Sequence, residues 1–379
     1  MSSPILAGRE RAVATVDLGA IRHNIRLLCQ RLTGRAVLCA VVKANGYGHG
    51  AVPAARAVLE AGAEWLGVAT VTEAEELRGA GFSAPLLVFG PMTGSELRRA
   101  VAADAQVVVW SRGFASAAAQ EGAAAHVKFD SGMGRLGVDE GAAMELANIL
   151  ANGSGRLAGL MSHLATADED DQTFFLHQLD RFTALARRFK GRFPDTIAHL
   201  ANSAAILREP RAHFDMGRAG IAIYGLDPAN RTPHTFGLRP AMRWTSYLAG
   251  ERIVEPGGSV GYGRRFIATE RTRIGIVPIG YADGVCRALT NRGEVLIAGR
   301  RCPITGTISM DQLTVRLPWD ACRIGDEVVL IGSSGPETIL CEDVARLLNT
   351  INYEIVCDVG PRTVRRYIDG PSDGEGAPT

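Results

Sequence analysis

About eight times between residues 36 and 218 a short strand-like run gives way to a helical pattern or a turn. The runs fall at 36–42, 65–69, 85–89, 106–110, 126–129, 157–161 and 196–200, with a last strand candidate of mixed composition at 213–218. Helical patterns lie between them at 52–61, 72–80, 95–102, 115–120, 141–151 and 172–190, with a helix start at 204–207. Short, largely apolar runs fit buried strands, and their alternation with helices fits parallel βα units. Eight such units over this length match a (β/α)8 barrel, with an open doubly wound sheet as the competing architecture. No Gly-x-Gly-x-x-Gly follows the first of these runs and opens a helix, which counts against dinucleotide binding. A further strand at 11–16 precedes a helix at 18–31, for which Asp17 is the N-cap.

After Gly237 the texture changes. Short β-rich runs at 244–254, 272–279, 294–297, 312–317 and 326–331 are punctuated by Gly and Pro turns, and only 338–348 reads as helix. The fold class expected is therefore α/β, a TIM barrel followed by a mainly β C-terminal domain. The barrel is set at 1–238, the β domain at 239–369, and a Gly-, Pro- and Ser-rich disordered tail at 370–379.

A net charge of +1 gives no global electrostatic case for nucleic acid or an anionic membrane. The 7 cysteines are odd in number, scattered and without a Cys-x-x-Cys pair, so neither a disulfide framework nor a metal site is indicated. No secretory signal or membrane-length apolar run is seen, and a reducing, cytoplasmic compartment is expected.

Barrel chemistry sits at the C-terminal ends of the strands. The polar residues at those ends are Lys43, Lys128 and Asp130, His163, His199 with Asn202 and Ser203, and Arg218 with Gly220. Each alone has a structural explanation: a solvated lysine in a glycine-rich turn, a satisfied core histidine, a surface ion-pair arginine. Together at strand ends they favour a catalytic barrel. Ser203 and the open backbone of Gly220-Ile221 lie in the late loops, where barrels bind phosphate. A lysine with a phosphate cradle fits pyridoxal 5'-phosphate, a phosphorylated aldehyde that bonds lysine as a Schiff base.

At this point the motifs Ala40-Val-Val-Lys-Ala-Asn-Gly-Tyr-Gly-His-Gly50, Lys128-Phe-Asp-Ser-Gly-Met-Gly-Arg-Leu-Gly137, Ser162-His163 and His199-Leu-Ala-Asn-Ser203 can be taken together. They continue with Arg218-Ala-Gly-Ile-Ala-Ile-Tyr-Gly225, Gly261-Tyr-Gly263, Gly280-Tyr-Ala-Asp-Gly284, Ser309-Met-Asp-Gln312 and Asn352-Tyr-Glu354. In this order, over nearly the whole chain, they resemble the alanine racemases of the pyridoxal phosphate barrel class.

The resemblance implies a homodimer with shared active sites that interconverts L-alanine and D-alanine, supplying D-alanine for peptidoglycan. It makes Lys43 the cofactor lysine and one catalytic base, and Tyr262 the second base on the opposite face, with His163 in its relay. It sets Arg218 against the pyridine nitrogen, oriented by His199. Tyr47, Asn202, Ser203, Gly220, Ile221 and Tyr353 are implied cofactor contacts. Arg135 and the Met310 N–H are implied substrate contacts, with Asp311 orienting, and Lys128 is the candidate for carbamylation. No metal is implied. The resemblance also implies that the strand at 11–16 joins the β domain. Departures are Ser309, where many members carry cysteine, and the segment Val359-Gly-Pro-Arg-Thr-Val-Arg-Arg366. Other readings are a racemase of another small amino acid such as serine, a decarboxylase of the same architecture, and a pyridoxal phosphate carrier without turnover. Arg218 speaks against the decarboxylase, and Tyr262 with its β domain against the carrier.

Overall fold

The computed structural model describes residues 9–370. The expected tail, apart from Gly370, lies outside the described residues. Among the described residues two compact units emerge, one of residues 20–229 and 233–239, the other of residues 9–19, 230–232 and 240–370.

The first unit is a parallel barrel. We number its strands in chain order after an N-terminal strand, β1 (Val13–Asp17), which belongs to the other unit. They are β2 (Val37–Val41), β3 (Trp65–Val68), β4 (Leu86–Val88), β5 (Ala105–Val109), β6 (Ala124–Lys128), β7 (Arg156–Met161), β8 (Ile197–His199) and β9 (Met216–Ala219). Neighbours pair in sequence from β2 to β8, and β9 pairs back onto β2. Only the β8–β9 seam lacks a ladder, and two backbone bonds cross it, Asp215 N–H to Ala198 O and Arg218 N–H to Ala201 O, both 3.0 Å. Inward-facing Cys39, Leu87, Val108, Met161 and Met216 fill the middle. By the two-residue strand period, Gln106 shares the face of Val108 and Arg218 that of Met216. Polar groups are thus set into the barrel interior above and beside an apolar plug.

Helix starts in the barrel follow local capping chemistry. Thr70 and Thr93 each close a capping box, with Glu73 and Glu96 three residues on. Ser111, Asp139 and Asn202 cap the next helices.

The second unit is built on a seven-stranded sheet. Its main path runs Arg300–Pro303, Glu294–Ile297, Glu327–Ser334, Met242–Tyr247, β1, Val364–Ile368, with Glu337–Ile339 paired on Glu327–Ser334. β1 pairs antiparallel with Met242–Tyr247 and parallel with Val364–Ile368. A three-stranded sheet, Gly250–Val254, Thr272–Val277, Leu313–Leu317, and a small ribbon complete it.

Three expectations change here. The run at 244–254 is two strands in different sheets, broken at Leu248 and Ala249. The helix expected at 338–348 begins at Cys341, because residues 337–339 extend the Glu327–Ser334 strand as a hairpin. A second helix, Asn352–Cys357, follows it; six residues are too few for a readable helical period. No helix among the described residues is long and apolar enough to cross a membrane.

Candidate active site

The residues after β2 wind left-handed. Ala44, Asn45, Gly46, Tyr47 and Gly48 all have φ between 51° and 80°. Gly46 N–H reaches Val42 O at 2.9 Å and Gly48 N–H reaches Ala44 O at 3.0 Å, a turn of left-handed helix directly after the strand. Glycine accepts this conformation freely, but Ala44 and Tyr47 do so at a cost of roughly 1–2 kcal/mol each. Strain of this kind persists only where surrounding contacts hold it. Here Ala44 N–H donates to Glu73 Oε1 at 2.6 Å, and Asn45 Oδ1 accepts from Ala51 N–H at 2.9 Å. Tyr47 packs on Tyr224 with ring centroids 5.1 Å apart, and the Tyr224 hydroxyl donates to Val41 O at 3.2 Å. Lys43, half-buried, carries its amine 6.0 Å from the Tyr47 ring centre.

Tyr47 leads to Ser203 and Gly220. A Cβ added at Gly220 would lie 2.4 Å from the Tyr47 hydroxyl, so only glycine lets that phenol stand against the backbone. Ser203 Oγ accepts from Gly220 N–H at 2.9 Å, which leaves its own proton to donate. Ile221 begins the buried turn that follows. Asn202 spends its side-chain oxygen on the cap of the helix Ser203–Arg208, accepting from Ala205 N–H at 3.1 Å. The Gly220 N–H, expected to be open, is thus spent on Ser203; the two hydroxyls gathered beside it are donors that suit a phosphate monoester, and the gap at Gly220 is one that a side chain would close. The residues fit the phosphate end of pyridoxal phosphate.

Two residues before Gly220, in β9, Arg218 is 5% exposed. Its guanidinium donates to His199 Nδ1 at 2.9 Å, Ser162 O at 2.8 Å and Leu200 O at 3.0 Å, with His163 Nδ1 at 3.4 Å. All four partners are neutral acceptors. Burial lowers its pKa to about 10, which still leaves it cationic at neutral pH. His163 is pushed well below its ordinary value by burial first, then by Arg218, Lys128, Arg135 and Lys43. Those five expected site residues are therefore electrostatic neighbours, and His163 is held neutral among four basic groups. Lys128 ends β6 and is driven down to about 7 by burial, then by Arg218 and Arg135, against a smaller opposite pull from Asp130. Arg135, exposed, sits beyond a loop pinned by Asp130, whose Oδ1 accepts from Gly132 N–H at 2.9 Å and Gly134 N–H at 3.1 Å.

Four expected residues belong to the other unit. Tyr262 is 74% exposed, in a turn where Gly261 and Gly263 have φ of 73° and 71°. Thr307 anchors it by donating its hydroxyl to Tyr262 O at 2.6 Å. Met310 is 52% exposed on a turn packed against Gly280, where an added Cβ would lie 2.3 Å from Ser309 O and 2.4 Å from Met310 O. Ser309 closes that turn itself: its hydroxyl donates to Gln312 O at 2.8 Å and accepts Gln312 N–H at 3.1 Å. Asp311 accepts from Arg362 at 2.7 Å. Tyr353 lies half-buried on the helix Asn352–Cys357.

Several supporting residues were not among the sequence candidates. Glu73 grips the Lys43 turn. Gln178, fully buried, donates to His163 O at 3.2 Å and to Ser131 Oγ at 3.1 Å. Asp283, also fully buried, bonds Arg11, accepts Gly280 N–H at 2.9 Å and pairs with Arg362 at 3.3 Å. The Glu73 capping box could have flagged that residue; the buried Gln178 and the pairing of Asp283 with residues far along the chain leave no local signal.

Known proteins resemble this chain along nearly its full length. Residues 16–228 match the family model described as alanine racemase, N-terminal domain, and residues 241–367 match alanine racemase, C-terminal domain. An alanine racemase of Symbiobacterium thermophilum is 43% identical over 371 residues, covering 96% of this chain and 98% of the relative. One from Frankia casuarinae is 42% identical over 376 residues, covering 94% and 96%. The crystal structure of alanine racemase from D-cycloserine-producing Streptomyces lavendulae superposes with a TM-score of 0.89 at 40% identity, covering 96% of this chain and 98% of that one. Matched in both parts and along nearly its full length, the chain belongs to the alanine racemase family and is an isomerase.

Proposed function

We propose that the protein interconverts L-alanine and D-alanine with pyridoxal 5'-phosphate as cofactor, passing the α-proton between two bases on opposite faces of the substrate. The observation that carries this is the convergence of Lys43, Lys128, Arg135, His163 and Arg218 at the barrel strand ends, beside the Tyr47–Ser203–Gly220 cradle.

Bound pyridoxal phosphate supplies covalent attachment for the substrate amine and an electron sink for the charge left at Cα. Lys43 would hold it, Tyr47, Asn202, Ser203, Gly220, Ile221 and Tyr353 would contact it, and Arg218 would face its ring nitrogen. Arginine has donors only, so it cannot accept a proton there, and the ring nitrogen stays an acceptor. Arg135 and the Met310 N–H bind the substrate carboxylate, with Asp311 and Arg362 fixing the Met310 turn.

Lys43 is the base on one face and Tyr262 on the other. A tyrosine three-quarters exposed has no enclosed site around it in its own turn; a second copy of the chain provides one. We therefore assign a homodimer whose sites each combine Lys43 of one protomer with the partner's Tyr262, and the neutral His163 relays to that phenol.

Lys128 is the carbamylation site. Its depressed amine is substantially neutral at physiological pH and can attack carbon dioxide: the N–C bond forms and a proton leaves to solvent. The anion produced would pair with Arg135 in a charge-assisted bond, where the free ammonium would repel it. We place the reaction in the cytoplasm, where it supplies D-alanine for peptidoglycan.

Chiral analysis of the holoenzyme incubated with L-alanine and, separately, L-serine tests the assignment. D-alanine should accumulate, and faster than D-serine. No D-alanine sinks the proposal, and faster turnover of serine changes its substrate.

A further inference from the structure

Arg218 stands at one end of a row of side chains that crosses the barrel interior. Arg218 Nη1 lies 2.9 Å from His199 Nδ1, His199 Nε2 lies 2.9 Å from His126 Nδ1, and His126 Nε2 lies 2.9 Å from Gln106 Oε1. We infer that His126 and Gln106 are positioning residues for Arg218, forming with His199 a hydrogen-bond chain that runs one way only, Arg218 to His199 to His126 to Gln106. Its consequence for catalysis rests on the proposed role of Arg218 against the cofactor ring.

The direction follows from elementary donor counting. A guanidinium only donates, so His199 Nδ1 must accept. The proton of a neutral His199 then sits on Nε2, which donates to His126 Nδ1. By the same step the His126 proton sits on Nε2 and meets the Gln106 oxygen. Adding a proton to either imidazole would set N–H against N–H. The carboxamide at the far end is neutral, so it accepts the last bond without drawing a proton into the row.

The backbone is shaped to permit the contact. β6 and β8 are not neighbours; β7 runs between them. The β6–β7 register shifts between Ala125 and His126, which brings His126 opposite Gly159. A Cβ at Gly159 would lie 2.5 Å from His126 Nδ1, so the glycine opens the gap through which the two imidazoles meet edge to face, centroids 4.9 Å apart. A shifted register re-aims a side chain, and here it re-aims His126 at His199.

The surroundings agree. His126 is faced by His199, Gln106 and the edge of Trp65, with Arg156 and Arg218 the charges acting on it; burial lowers it to about 3. His199 is lowered well below its usual value by burial, Arg218, His126 and Lys128. Among the described residues no carboxylate acts on either ring. The row therefore cannot deliver a proton to Arg218 or neutralise it. It leaves the arginine a fixed cationic donor, which is what a ring nitrogen kept as an acceptor requires.

Nitrogen-15 NMR of the histidine-labelled holoenzyme tests this, with His126→Gln used to assign the signals. Both rings should be neutral Nε2–H tautomers whose shifts stay constant from mildly acidic to mildly alkaline pH. Gln106→Glu, nearly isosteric, places an anion at the terminus. It should convert His126 to imidazolium, introduce a new ionisation in the kcat profile, and lower kcat roughly 10–100-fold with KM little changed, the scale on which second-sphere partners act. An Nδ1–H tautomer or a titrating ring in the wild-type protein would overturn the inference. So would a folded Gln106→Glu with unaltered tautomers and pH profile. Either result leaves racemisation itself untouched, whereas loss of the racemase assignment would leave the tautomers as stated.

Discussion

The Ala44 N–H donates to Glu73 Oε1 at 2.6 Å, so a carboxylate on the helix after β3 holds the residue next to Lys43. The other oxygen, Oε2, accepts from Ala69 N–H at 2.8 Å and Thr70 N–H at 3.0 Å. Both oxygens are therefore acceptors for backbone donors, and Glu73→Gln must turn an NH2 group against an N–H. We expect Glu73→Gln and Glu73→Ala each to cost about 0.5–1.5 kcal/mol in urea unfolding, the range for a hydrogen bond that is only partly shielded from solvent. Both should lower kcat, since the strained turn carrying Lys43 loses a restraint. A Glu73→Gln enzyme with unchanged stability and kcat would mean the turn holds itself.

Lys128 should gain its carbamate as pH rises through about 7, the value to which burial and neighbouring arginines depress its amine. The modification needs the neutral amine, which is the majority form above that pH and the minority below it. Carbon-13 NMR under labelled bicarbonate should show a carbamate resonance that weakens on acidification and is missing in Lys128→Arg. A spectrum without that resonance at alkaline pH contradicts the assignment.

At Gly280 the turn bearing Met310 leaves no room for a methyl group. Gly280→Ala should shift that turn and raise KM for alanine with a smaller effect on kcat, while costing about 1–3 kcal/mol as overpacking does. An unchanged KM would separate Met310 from substrate binding.

Asp283 is fully buried between Arg11 and Arg362. Removing its carboxylate leaves the buried Gly280 N–H unpaired and takes an acceptor from two partly exposed arginines, a loss of about 1–3 kcal/mol. Asp283→Ala should show a loss of that size by thermal or chemical unfolding. A loss below about 1 kcal/mol, the scale of exposed ion pairs, would place the cluster among surface bridges.

Much of the barrel was legible because most strands fall in largely apolar runs, and because Lys43, Lys128, His199 and Arg218 interrupt that texture at or near strand ends. What holds them was less visible. Glu73 sits in an ordinary capping box, and only the fold brings it to Ala44. His126 and Gln106 occupy positions inside apolar runs, where a polar residue reads as a local exception. Their partnership depends on a register shift and on Gly159 in a different strand. In the β unit, strands of two residues, such as Ser259–Val260, carry no period to detect. The run at 244–254 hid a change of sheet because both halves are equally β-like. The candidate site residues on the barrel were marked by composition against background, whereas the residues that contact them were marked only by three-dimensional neighbours.

The two-base proposal stands on Lys43 and Tyr262. Its most direct test is α-proton exchange in deuterated water, comparing the wild-type enzyme with Tyr262→Phe on each enantiomer of alanine. The wild type should exchange both. The variant should lose abstraction from L-alanine by roughly 10²–10⁴-fold, the contribution expected of a positioned general base, while abstraction from D-alanine through Lys43 falls much less. Equal loss on both enantiomers would contradict the assignment of one base to each face.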